Sequence, residues 1–78
     1  MKTRTETAAA IRALDLTTEA REFFRLLVLA NFSGLAEVRT KAIRRACDLG
    51  NTLPVEEMYS AMNTADSLGL AWRPGTVL

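Results

Sequence analysis

Apolar residues recur at helical spacing in three long segments of this chain, and Gly34, Gly50 and Gly69 punctuate them. Over residues 17 to 32, Ala20, Phe23, Phe24, Leu27 and Val28 share one broad face, with Glu19, Arg21, Glu22 and Arg25 opposite. Thr17 or Thr18 is the natural N-cap, and Glu19 suits the positive end of the helix dipole. Leu26 and Leu29 fall among the charges, so this helix is either central to the core or one side of a dimer interface. Over residues 35 to 49, Leu35, Val38, Ala42, Ala46 and Leu49 form an apolar arc with Ile43 beside it. Arg39 projects into that arc, so regular helix is expected to begin near it, and Gly34 and Gly50 are expected to stop the first two segments in left-handed conformations. The third segment opens at Pro54, and Val55, Met58, Met62 and Ala65 recur at three-four spacing, flanked by Ala61 and Leu68.

Two shorter elements flank these segments. Thr3-Arg4-Thr5-Glu6 reads as a capping box, and it predicts a helix over residues 4 to 14 whose Ile11 and Leu14 form a narrow apolar stripe. At the other end Leu70-Ala71-Trp72 and Thr76-Val77-Leu78 flank the turn sequence Arg73-Pro74-Gly75, which predicts a small hairpin. The pattern thus describes a mainly α domain of three to four helices with a short C-terminal β-hairpin. Residues 1 to 16 form an N-terminal extension, 17 to 69 a three-helix core, and 70 to 78 the hairpin.

Composition narrows the chemistry. With 78 residues, 49% apolar and 24% charged, the chain reads as one ordinary globular domain, which hides only about 60% of its unfolded surface. The uncharged run between Arg25 and Glu37 is too short to cross a bilayer, and Lys2, Arg4 and Glu6 open a chain without an apolar leader, so a soluble cytoplasmic protein is expected. Cys47 stands alone and histidine is absent, which removes an intrachain disulfide, the usual general base and the commonest zinc ligand. The serines lack an activating base, the glycines are isolated, and Glu56 and Glu57 diverge as neighbours on a helix. No enzyme, metal, cofactor or small-molecule substrate is therefore expected. Cys47, Met58 and Met62 read as core fillers, and Trp72 as the anchor of the tail.

Charge is unevenly spread. Residues 1 to 48 hold nine Lys or Arg against six Asp or Glu, and residues 49 to 78 hold one against three. Lys41, Arg44 and Arg45 cluster on one side of the second long segment. They form either a patch for phosphates or an acidic protein, or a solvated face in which Glu37 pairs with Lys41 and Arg44 with Asp48. Arg39, near the apolar arc, needs a carboxylate, a carbonyl or a ligand.

The order of elements over residues 18 to 78 resembles the winged helix-turn-helix family. The resemblance implies that residues 55 to 68 enter the major groove, that the preceding helix crosses the backbone, and that Arg73 is a wing-tip contact. The outward side of that third helix carries Glu56, Glu57, Tyr59, Ser60, Asn63, Thr64 and Ser67, and no Lys or Arg. Asn63 suits adenine and Tyr59 a phosphate or a base, whereas the two carboxylates oppose a polyanion.

The function expected is a small regulatory module that binds DNA through Lys41, Arg44, Arg45 and Arg73 and presents Tyr59, Ser60 and Asn63 to the groove. A dimer joined through Ile11, Leu14, Leu26 and Leu29 would supply enough contact for specificity. The alternative is an inhibitor in the manner of small phage and mobile-element proteins such as anti-CRISPR proteins. It would cover a protein of a nucleoprotein complex with its acidic third helix. A structural subunit of a larger assembly is a third reading.

Overall fold

Thr3 begins the first helix as the spacing predicts: the Glu6 N–H donates to Thr3 Oγ1 at 3.2 Å, and the Thr3 N–H donates to Glu6 Oε1 at 3.4 Å. The computed structural model describes residues 3 to 73, and those residues form four α-helices: α1 (Arg4–Arg12), α2 (Thr18–Phe32), α3 (Ala36–Gly50) and α4 (Val55–Ser67). Thr17 caps α2 by accepting from the Ala20 N–H at 3.2 Å. Helix α1 ends at Arg12, two residues short of the expected 14.

Helix α3 begins at Ala36, ahead of Arg39, because the guanidinium finds its partner outside the apolar arc: Arg39 Nη1 donates to the Ser33 carbonyl at 2.6 Å. Leu35 precedes the helix as its N-cap and is 66% exposed, so it lies outside the arc expected of it.

The glycines divide by role. Among the described residues Gly69 alone has positive φ, at 74°. There the Leu70 N–H donates to the Ala65 carbonyl (2.9 Å) and the Gly69 N–H to the Asp66 carbonyl (3.1 Å), a complete Schellman ending for α4. Gly34 and Gly50 do not take the left-handed conformation expected of them. Helix α2 ends because Ser33 turns extended, and Gly50 is the last residue of α3, buried where an added Cβ would stand 3.3 Å from Phe23 Cε1. Its role is to let α3 and α2 approach closely.

Helix α2 is the centre of the core. Phe23, Phe24, Leu26, Leu27 and Ala30 are buried on it, and Ala42, Ile43 and Ala46 of α3, Ala61 and Ala65 of α4, Ile11 of α1 and Leu70 close around them. Phe23 and Phe24 meet edge to face with centroids 5.5 Å apart. Leu26 is buried in the core cluster, so the central-helix reading of α2 holds and Leu26 is consumed within the chain. The inner face of α4 is centred on Ala61 and Ala65. Met58 and Met62 are half-buried, and Val55, expected inside, is 63% exposed.

The first arm of the expected hairpin is not a strand. No strand occurs among the described residues, and the first arm is spent on the helices. Leu70 is buried in the core, and the Asn31 side chain occupies both hydrogen-bonding positions of Ala71. The Trp72 indole N–H donates to Asp66 Oδ1 at 2.8 Å. A partner strand would need the backbone groups of Ala71 that Asn31 already satisfies. The fold is therefore all-α over the described residues, without the wing. Pro74, Gly75 and the second arm, residues 76 to 78, lie outside them. No described helix is long and apolar enough to cross a membrane.

Candidate binding surfaces

The regular turn of α3 places Lys41, Arg44 and Arg45 on its solvent side, and all three are exposed. The expected pairs Glu37 with Lys41 and Arg44 with Asp48 do not form: among the described residues the ion pair within 4.0 Å is Glu22 with Arg25, at 2.5 Å. The Glu22 carboxyl is held below its ordinary range, chiefly by the hydrogen bond from Arg25; desolvation opposes this, and the charges of Arg25 and Arg45 add to it.

Helix α4 turns Glu56, Tyr59, Ser60, Asn63 and Ser67 outward, with Thr64 half-buried among them, around one broad, shallow surface. Tyr59 is 59% exposed. Glu57 lies at the edge of this surface, in a hollow it shares with Ser60 and Thr64, and accepts a hydrogen bond from Thr17 Oγ1, which ties the start of α4 to the start of α2. The two adjacent carboxylates therefore have different work, Glu56 on the outer surface and Glu57 in an interhelical contact. Arg73 stands with its guanidinium 4.8 Å from the centroid of the Trp72 ring, on the segment that follows α4, and the rest of the wing expected around it, residues 74 to 78, lies outside the described residues.

Of the four positions read as a dimer interface, Ile11 and Leu26 are buried in the core, while Leu14 and Leu29 are half-buried. Packing inside the chain uses the first two, which removes them from any contact between copies.

An apolar crevice of about 90 Å³ opens between the end of α3, the connection to α4, and Trp72; Phe23, Cys47, Leu53, Met58 and Met62 are in its walls. Burial first, and the Asp48 charge second, push the Cys47 thiol up from its ordinary value, which disfavours the reactive thiolate. The thiol faces the Trp72 carbonyl at 3.5 Å. No group of three His, Cys, Asp or Glu able to hold a metal ion occurs among the described residues.

The sequence pattern does not single out the groove between α1 and α2. Arg4 and Arg12 of α1 face Arg21 and Arg25 of α2 across Ala8, Ile11, Val28 and Leu29, enclosing about 350 Å³. These arginines are scattered along the chain, and only the docking of α1 on α2 brings them together. The i, i+4 spacing of Arg21 and Arg25 is the one local sign of it. No protein-family model, curated protein or solved structure matches this chain.

Proposed function

We propose that this chain is a non-enzymatic regulatory module that binds DNA phosphates through the exposed side of α3. The observation that carries the reading is the row of Lys41, Arg44 and Arg45, exposed together and free of the helix-spaced carboxylates expected to neutralise them. Such a row costs little to desolvate against a polyanion, because no ion pair must be broken first. Helix α3 then lies along the phosphate backbone, and α4, packed on α2, presents Tyr59, Ser60 and Asn63. Glu56 and Glu57 at the α4 start both carry a charge that opposes DNA, since the Thr17 hydroxyl is a neutral donor to Glu57, and the phosphate contact therefore falls to α3. The absence of histidine and the raised pKa of the one cysteine support a non-catalytic role, and a lone free thiol suits the reducing cytoplasm.

Electrophoretic retention of a duplex at low salt tests this. Lys41→Ala, Arg44→Ala and Arg45→Ala together should abolish retention while leaving the helical circular dichroism unchanged. Retention equal to the parent would refute it.

One observation favours a second reading. The α4 surface is open, rich in hydroxyls and without a cation, so it also suits a basic protein surface within a nucleoprotein complex. In that case Glu56→Lys weakens partner capture and the α3 triple variant does not.

A further inference from the structure

The groove between α1 and α2 combines two surfaces that one occupant must satisfy together. Its floor is apolar, from Ala8, Ile11, Val28 and Leu29, and its rim is four guanidinium groups. Arg4 and Arg12 have no partner among the described residues, and they are eight positions apart on one helix, about 12 Å along its axis. Arg21 spends Nη2 on the Leu14 carbonyl, and Arg25 spends Nε and Nη2 on Glu22, so each retains N–H groups for an incoming anion.

Charge decides among the occupants. A symmetric contact with a second copy would set Arg4, Arg12 and Arg21 against the same residues of the copy, with Arg25 paired to Glu22, an arrangement that like-charge repulsion opposes. Duplex DNA would meet the rim and leave the apolar floor against water. A helix with carboxylates on both sides of an apolar stripe satisfies both surfaces, since arginine takes carboxylate oxygens in its planar fork while the stripe displaces water from the floor. We infer that the α1–α2 groove docks an acidic amphipathic helix of a protein partner, with Arg4, Arg12, Arg21 and Arg25 holding its carboxylates. This site is separate from the α3 row and does not depend on it.

The probe is a fluorescent, end-capped peptide of about sixteen residues, with leucines at i, i+3, i+4 and i+7 and glutamates elsewhere, titrated against the full chain and read by anisotropy. Binding should weaken as salt rises. Arg4→Gln with Arg12→Gln should lower affinity by about tenfold. Ala8→Glu sets a carboxylate on the floor with a strong helix former, so it should abolish binding with the circular dichroism of the parent retained. The α3 triple variant should bind the peptide as the parent does, which separates this site from the DNA reading. Absence of binding would overturn the inference. So would equal binding of a peptide with serine in place of every leucine, which would mark a plain polyanion contact. Stronger binding in the groove by duplex DNA or by phosphatidylserine vesicles, lost in Ala8→Glu, would assign it to nucleic acid or lipid instead.

Discussion

The side-chain amide of Asn31 and the backbone of Ala71 exchange two hydrogen bonds, each 2.8 Å long. Asn31 Nδ2 also donates to the Leu27 carbonyl at 2.8 Å, so one side chain joins the last turns of α2 to the segment after α4 across forty positions of sequence. Asn31→Ala leaves the half-buried N–H and C=O of Ala71 without these partners, at a cost of about 2 kcal/mol in chemical denaturation. Asn31→Asp keeps an acceptor for the Ala71 N–H and loses the donor, so its loss should fall between parent and alanine.

Gly69 and Gly34 look alike in the sequence, and substitution should separate them. Gly69 holds a φ of 74°, a region that a Cβ disfavours, so Gly69→Ala should destabilise by about 1 kcal/mol. Gly34 is exposed, does not have positive φ, and has nothing within 4 Å of an added Cβ. There alanine should stabilise by about 0.5 kcal/mol through the unfolded chain. Denaturation midpoints of the two variants check the opposite signs.

Thr7 is fully buried on α1 and its Oγ1 has no hydrogen-bond partner. Replacing the hydroxyl by a methyl removes that desolvation cost, so Thr7→Val should stabilise the chain by about 1 kcal/mol. Amide exchange in α1 should slow as the helix docks more firmly. Unchanged or faster exchange would show that the hydroxyl is satisfied in solution.

The sign of the Cys47 effect is fixed by its direction. Its folded pKa lies above the ordinary 9.0, so the unfolded chain releases the proton first. The contribution of the neutral thiol to stability is present in full below that ordinary value and is lost as pH rises toward the folded one. Alkylation by iodoacetamide near pH 8 should therefore be slower on the folded chain than in denaturant. Equal rates would place the thiol in open solvent.

The helices were legible because their signals are local. Thr3 with Glu6, Thr17, and Pro54 before α4 each act within one turn of their own position, and spacing alone reports them. What escaped depends on partners far along the chain. Ala71 reads as a strand residue until Asn31, forty positions away, supplies its hydrogen bonds. Gly50 reads as a helix stop until Phe23 is seen against it, and nothing local in the sequence joins Arg4 and Arg12 to Arg21 and Arg25 until α1 settles on α2. The same limit applies to Val55 and Ala61: periodicity gave α4 an apolar stripe, and the packing of α4 against α2 determined which part of it turned inward.

Amide chemical-shift mapping during titration with a short duplex at low salt tests the proposed phosphate contact of α3 most directly. Shifts should concentrate on residues 41 to 45 of α3 and fade as salt rises, with an affinity slope against log salt near −2.7 for three phosphate contacts. Shifts confined to Tyr59, Ser60 and Asn63 with α3 silent, or a slope unaffected by removing Lys41, Arg44 and Arg45, would contradict it.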